Sequence, residues 1–240
     1  MDKGSVEYYK GGELSMKVLV LNVSPKGNNS GTMKITESFV EGFEKIHKAE
    51  VNVINIYSLD IKPCAGCYGC WHKTPGICVI RDDMAECLTL LTEADLIIWS
   101  FPLYHYSMPA KGKMFLERTL PTILPELVKT PSGCVHPSRY EKEQKVVLIS
   151  SCGFYNTEHN YEGLLMQFKL LYQDYTAILC AEGPLLNIPD VSYFSDLYLA
   201  AVKKAGEEYA NLGELSDQTK KSLYEPMMPI DMYIENSNRG

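Results

Sequence analysis

Four of the eight cysteines fall in one short run, Cys64-x2-Cys67-x2-Cys70-x7-Cys78, within "CAGCYGCWHKTPGIC". Thiolates are soft ligands and nucleophiles, so the run offers iron–sulfur ligation, zinc ligation or thiol redox chemistry. Zinc sites usually pair two Cys-x2-Cys knuckles across a longer gap, which three cysteines at steps of three fit poorly. The compact spacing has the form of half a bacterial ferredoxin motif, with its fourth cysteine eight positions on, so one [4Fe–4S] cluster per chain is feasible. Gly66, Gly69 and Gly76 would let backbone N–H groups approach the sulfurs. Two other readings stay open: a metal-free loop that simply packs, with Trp71 and "KTPG" as bulk, and a reversible disulfide within Cys64, Cys67 and Cys70.

Three more stretches concentrate chemically useful groups. "SPKGNNSGTMK" (24–34) sets Ser24, Asn28, Asn29, Ser30, Gly31 and Thr32 ahead of a helix start. Small hydroxyls and unpaired backbone N–H groups there form a phosphate cradle, aided by the helix dipole. The stretch lacks the Gly-Lys-Ser/Thr ending of a nucleotide P-loop and the dinucleotide glycine pattern, so it suits a terminal monophosphate. A polar turn with a good N-cap is the plainer alternative. "FPLYHYSMPAKGKMF" (101–115) puts Tyr104, His105 and Tyr106 after a strand stopped by Pro102, either to flank a planar heteroaromatic ligand or to line an interface between subunits. "SSCGFYNTEHNYEG" (150–163) carries a small-residue turn at Ser151, Cys152 and Gly153, then Phe154 and Tyr155. His159 in that stretch reads as a surface or interface residue rather than a proton donor.

The elements that must position these loops alternate along the chain. Short apolar runs at 17–23, 95–104, 144–154 and 176–188 read as strands, and 50–59 as a half-buried or edge strand. Segments 32–46, 82–94, 109–120, 161–175 and 193–213 have helical apolar spacing. An aspartate is the N-cap candidate at 82, Pro109 falls in the first turn of its helix, and Gly213 closes the last. Residues 121–143, with four prolines and no period, read as an excursion outside the core. Five βα units of this kind predict an α/β fold, a doubly wound five-stranded parallel sheet with helices on both faces. Its ligands bind beyond the carboxyl ends of the strands, where strand order reverses.

The 240 residues are 45% hydrophobic and 22% charged, an ordinary globular composition. A net charge of −7, with acids spread along the chain, argues against a nucleic-acid partner. No apolar run approaches the ~20 residues that span a bilayer, and the start "MDKGSVEYYKGGEL" has no apolar signal core. The expectation is a cytoplasmic protein without a membrane or nucleic-acid partner, its thiols kept reduced. The domain proper is expected over 16–213. Residues 1–15 form an extension that is either a flexible tail or non-native sequence upstream of a translation start at Met16. The tail, 214–240, is expected to pack loosely or to touch a partner subunit.

Together, "VSPKGNNSGT", the cysteine run with its following "DDM", "FPLYHYSMPAKGKMFLERT" and "SCGF" resemble the NADPH-dependent FMN reductase family of flavodoxin-like proteins, closest to its iron–sulfur flavoprotein branch. The resemblance covers about 16–212. It implies a flavodoxin-like sheet and FMN held non-covalently, with NAD(P)H as co-substrate. By position it assigns Ser24, Lys26, Ser30, Gly31 and Thr32 to the phosphate. Pro102, Leu103, Tyr104, His105 and Tyr106 would flank the isoalloxazine, and Ser151, Cys152 and Gly153 would line its other side. Relatives usually carry Asn where Gly31 stands, so a backbone N–H would replace one side-chain contact. The implied activity passes electrons from a nicotinamide to a small-molecule acceptor (a quinone, a nitro or azo compound, or free flavin), with no catalytic side chain required. A carrier moving electrons between protein partners, with FMN and a [4Fe–4S] cluster on Cys64, Cys67, Cys70 and Cys78, is the alternative, and a flavin-dependent regulatory module a third. Many relatives with similar cysteines hold no metal. The resemblance also implies a homodimer or homotetramer, with Tyr155 or Tyr161 covering a neighbour's flavin.

Overall fold

Strands that are apolar on both faces can be satisfied only between two layers of helices. The computed structural model, which describes residues 15–131 and 133–238, has that arrangement. In chain order the elements are β1 (Met16–Asn22), α1 (Gly31–Glu44), β2 (Ala49–Asn55), α2 (Gly69–His72), α3 (Met84–Glu93), β3 (Leu96–Pro102) and α4 (Ala110–Glu117). There follow β4 (Val128–Thr130), β5 (Gly133–Val135), β6 (Lys145–Ser151), α5 (Glu162–Tyr172), β7 (Thr176–Cys180), α6 (Ser192–Leu212), α7 (Asp217–Tyr224) and α8 (Ile230–Asn238). The main sheet runs β2-β1-β3-β6-β7, with every pair parallel. The five expected strands are all present, and the order reverses beside β1, so the carboxyl ends of β1 and β3 flank the switch point.

Alternate residues of each strand feed opposite layers. Leu19, Leu21, Ile97, Trp99, Phe101 and Leu148 pack with Met84 and Leu91 of α3, Phe115 of α4 and Leu164 and Phe168 of α5. Val18, Val20, Ile98, Val147, Ile149 and Ile178 pack instead with Ile35, Phe39 and Phe43 of α1 and Tyr198, Val202 and Tyr209 of α6. The two helices of this second layer meet through glycine. A Cβ on Gly42 would lie 1.9 Å from the Lys203 carbonyl oxygen, and one on Gly206 would lie 2.0 Å from that of Phe39.

Among its described residues the excursion at 121–143 holds the end of a 3-10 turn (Leu120–Thr122) and a small antiparallel pair, β4 with β5, outside the main sheet. Instead of reaching the core it covers the cysteine loop. The Trp71 indole N–H donates to the Ile123 carbonyl at 3.1 Å, and its ring lies 4.9 Å from that of His136.

The C-terminal segment is better ordered than expected. Gly213 ends α6 at φ 75°, Ser216 caps α7 by accepting from the Thr219 N–H, and Leu215 and Leu223 join the α1/α6 layer. Met228 and Tyr233 form a separate apolar cluster with Leu185. Residues 1–14 lie outside the described residues, so the expectation for the 1–15 extension is not addressed beyond Ser15. Among the described residues, no helix is long and apolar enough to cross a membrane.

Candidate functional site

The loop after β1 is shaped by Asn22, which the sequence analysis did not single out. Its side-chain oxygen accepts from the Ser24 N–H at 3.0 Å, and its amide nitrogen donates to Asn55 at the end of β2, at 2.7 Å. Gly27 takes φ 56°, and Ser30 caps α1 by accepting from the Met33 N–H at 3.1 Å. Ser24, Ser30 and Thr32 are buried, while Lys26 stands exposed at the mouth. This is a capped helix N-terminus ringed by small hydroxyls, which serves both the N-cap reading and the cradle. A Cβ at Gly31 would be tightly placed, 3.0 Å from the Asn187 side-chain nitrogen and 3.1 Å from Leu186 Cβ, so a larger residue there requires those side chains to give way.

Hydrogen bonds and ring contacts join the first loop to the other two. The hydroxyls of Thr32 and Ser151 are 2.6 Å apart, linking the loops after β1 and β6. The Leu103 N–H donates to the Ser151 carbonyl at 2.7 Å, linking the loops after β3 and β6. Tyr104 and Ser107 exchange backbone hydrogen bonds of 2.9 and 3.1 Å around His105 and Tyr106, which sit at φ 46° and 63°. Two consecutive left-handed residues without glycine store backbone strain of the kind found at binding sites. The turn holds Tyr104, His105 and Tyr106 exposed, and Tyr106 stacks on Phe154 of the third loop, ring centres 6.1 Å apart and 15° between planes. Beneath them Cys152 is buried. Burial pushes its thiol up, against the Phe154 N–H and the Tyr161 hydroxyl, so Cys152 stays protonated near neutral pH.

Tyr161 does not face a neighbour. It is 1% exposed and belongs to the α3/α4/α5 layer, which corrects the expectation that it covers a second subunit's ligand. Its position one residue before α5 turns it inward beside Cys152. Tyr155, in contrast, is exposed. His159 is exposed as well, in line with a surface residue.

The cysteine run is held at its base by a buried ion pair. Arg118, just past α4, donates to both carboxylate oxygens of Asp82 at 2.7 and 2.9 Å and to the Lys62 carbonyl at 2.6 Å. The two side chains are 1% and 0% exposed. Asp82 also accepts from the Lys62 and Met84 N–H groups at 2.9 and 3.2 Å, so residues 62 and 82 are tied together and the loop between them is closed. Burial works against the Asp82 carboxylate, but the hydrogen bonds from Arg118, Lys62 and Met84 hold it below its ordinary value. The expected N-cap at Asp82 is corrected: Asp83 holds the N-cap position of α3 and makes no side-chain capping bond, while Asp82, one residue earlier, accepts from the Met84 N–H as part of the loop closure. From the first turn of α4, Lys111 grips the stem that leads into the run, donating to the carbonyls of Tyr57 and Leu59 at 3.0 and 3.3 Å.

Within the closed loop Cys70 is buried, Cys64 and Cys78 are half-buried and Cys67 is exposed. Burial and then the neighbouring Cys78, Cys64 and Cys67 raise the Cys70 thiol, so the four sulfurs lie within electrostatic reach of one another. No group of three or more His, Cys, Asp or Glu among the described residues gathers as the ligands of a single metal ion do. A mononuclear zinc site is therefore a poor fit. A cubane gives each cysteine its own iron and holds the sulfurs further apart. Backbone approaches them too, since a Cβ on Gly69 would stand 3.5 Å from Cys67 Sγ.

The sequence is similar to known proteins. It is 42% identical over 72 residues to an iron-sulfur flavoprotein of Archaeoglobus fulgidus, covering 30% of this chain and 32% of that protein. An iron-sulfur flavoprotein of Methanocaldococcus jannaschii is 33% identical over 106 residues, 44% of this chain and 53% of the relative. These matches thus span about a third to a half of the relatives' lengths. A longer match, 26% identical over 191 residues, covers 74% of this chain and 82% of an FMN-dependent NADH:quinone oxidoreductase of Trichormus variabilis. Among solved structures, an NAD(P)H:quinone oxidoreductase from Methanothermobacter marburgensis superposes with a TM-score of 0.59 at 18% identity, over 81% of this chain and 97% of that one. A Bacillus anthracis FMN-dependent NADH-azoreductase in complex with FMN gives 0.57 at 18% identity, over 82% and 98%. These likenesses speak to the fold. The family model for the flavodoxin-like fold matches residues 16–181, and the chain belongs to that family.

Proposed function

We propose that this protein is an FMN-dependent NAD(P)H oxidoreductase that passes electrons to a small acceptor such as a quinone, an azo or nitro compound, or free flavin. The observation that carries this reading is the convergence of three loops at the switch point, through the Thr32–Ser151 and Leu103–Ser151 hydrogen bonds and the Tyr106–Phe154 stack. The residues present fit FMN, as a capped helix N-terminus with buried hydroxyls suits a phosphate monoester and exposed rings on a strained turn suit a planar heterocycle. Ser24, Ser30, Gly31 and Thr32 would hold the phosphate, with Lys26 supplying positive charge at the mouth. Pro102 to Tyr106 would lie along one side of the ring system, and Ser151 to Gly153 along the other.

When bound, FMN supplies the chemistry, taking hydride from the nicotinamide and giving electrons to the acceptor. The chain's part is to bind and orient. Tyr106 and Phe154 wall the site, and buried Cys152 offers a neutral, unreactive floor. We also expect a cytoplasmic homo-oligomer. Met166 and Leu170, 57% and 78% exposed one turn apart on α5, support self-association.

A second reading, an iron–sulfur flavoprotein passing electrons between protein partners, is favoured by the placing of Cys64, Cys67, Cys70 and Cys78 on one loop closed by Arg118 and Asp82. Anaerobic purification followed by NADH and NADPH titration tests both. The enzyme reading expects the flavin absorbance to bleach and a quinone to restore it. Failure of both nucleotides to bleach the flavin contradicts it. The second reading expects bound iron that Cys78→Ser removes, whereas iron-free protein from anaerobic cells leaves the cysteines metal-free.

A further inference from the structure

Three consecutive carbonyls in the third loop are occupied. The Gly183 N–H donates to Cys152 O and the Glu182 N–H to Phe154 O, both at 2.8 Å. Between them the Tyr233 hydroxyl donates to Gly153 O at 2.8 Å, from 80 positions further along the chain. The N–H of a trans peptide points opposite to its carbonyl, and no described peptide is cis. Pinning Gly153 O turns the Phe154 N–H away from α8, and pinning Cys152 O and Phe154 O turns the N–H groups of Gly153 and Tyr155 away from residues 182–183.

Tyr233 is placed for this by its own packing. It is 4% exposed, in a cluster with Leu185 and Met228 against Val191, Phe194 and Met227. The approach to α8 is fixed by a second bond, from the Met227 N–H to Glu182 Oε2 at 2.5 Å. Glu182 is itself buried and left-handed at φ 55°, a conformation that surrounding contacts must impose on a residue with a Cβ. The family match ends at residue 181, so Glu182, Met227 and Tyr233 all lie beyond the shared domain.

We propose that α7 and α8 are a strap that fixes the third cofactor loop, with Tyr233 as its positioning residue. The hydroxyl of Tyr233 holds the Gly153 carbonyl and so fixes the course of 152–155, the segment that would line the flavin. This rests on the FMN reading above.

Tyr233→Phe keeps the ring and its packing and removes only the hydroxyl, leaving the Gly153 carbonyl without its donor. A lost hydrogen bond of this kind is worth on the order of tenfold in a binding constant. Titration of the full-length apoprotein with FMN, followed by flavin fluorescence, should give a Kd about tenfold weaker for Y233F than for the native chain. Hydrogen exchange at 152–155 should quicken by a similar factor, with β3 and β6 unchanged. A lower unfolding midpoint with native FMN affinity would overturn the proposal, because a merely stabilising tail contact behaves that way. Met228→Ala separates the hydroxyl from general tail docking. It trims the same cluster and leaves the Tyr233 bond, so it should cost stability with less loss of FMN affinity. If M228A weakens FMN as much as Y233F does, Tyr233 has no special role. If the native chain takes up no FMN, the flavin reading fails, and exchange at 152–155 decides the strap: acceleration in Y233F supports it and native rates overturn it.

Discussion

Arg118→Met tests how the cysteine loop is held. An exposed ion pair such as Lys113–Glu117, 49% and 46% exposed, contributes only about 0.3–0.5 kcal/mol. Arg118 and Asp82 belong to another regime, with side chains 1% and 0% exposed and two hydrogen bonds between them. The substitution leaves the Asp82 carboxylate buried with only the Lys62 and Met84 N–H groups, and removes the donor to the Lys62 carbonyl. Stranding one member of a buried pair costs about 3–5 kcal/mol. Closing a loop the length of 63–81 costs on the order of 2–3 kcal/mol of chain entropy. The lost interactions exceed that closure cost, so the loop should open before the sheet does. Urea unfolding of R118M, D82N and the double variant, with hydrogen exchange over 63–81, measures this. We expect R118M to lose about 3–5 kcal/mol, a coupling of about 2–3 kcal/mol between the two sites, and rapid exchange confined to the loop. A loss below about 1 kcal/mol, as for an exposed pair, with loop exchange unchanged, would refute the closure argument.

Other consequences follow from the same packing. Gly206→Ala places a methyl group 2.0 Å from the Phe39 carbonyl oxygen, which no rotamer can relieve. Separating α1 from α6 should cost about 3 kcal/mol or more in the unfolding free energy, while Ala200→Gly, at an exposed position of α6, stays within the ~1 kcal/mol of helix propensity. Glu182 gives a pH dependence of definite sign. Burial raises its pKa, against the N–H groups of Met227 and Met228, so the folded state holds the proton more tightly than the unfolded state. Its contribution is greatest below the unfolded value of about 4.3 and is lost as pH rises through the higher folded value. Glu182→Gln keeps an acceptor for Met227 without the charge. The stability of the native chain minus that of E182Q should therefore fall as pH rises from 4 to 8, and a difference that rises would contradict the assignment.

The strands and their parallel sheet were legible because both-face apolar runs such as "KVLVLNV" have few places to go but a covered parallel sheet. The three loops were legible because turn residues, hydroxyls and rings cluster immediately after strands. What the sequence hid was tertiary pairing. Arg118 ends "MFLER" three residues after buried Phe115, the one cue that a charge sits on the inner face of its helix, yet its partner lies 36 positions away. The aspartates before α3 looked like ordinary N-cap residues for the same reason. Tyr161, at the start of the expected helix 161–175, reads as reaching a neighbour's flavin, because nothing in its neighbours signals that the start of α5 turns it into the core. The C-terminal segment reads as polar, since a few buried residues, Leu223, Met228 and Tyr233, carry its packing.

The central claim is that the loop after β1 holds a phosphate monoester and that the loops after β3 and β6 hold the ring attached to it. Competitive titration of the apoprotein with FMN and with riboflavin tests it directly, because the two ligands share the ring and differ in the phosphate. The account predicts one FMN bound per chain, with riboflavin weaker by at least about a hundredfold, the loss of several charge-assisted hydrogen bonds. Equal affinity for the two ligands, or binding of neither, would contradict it.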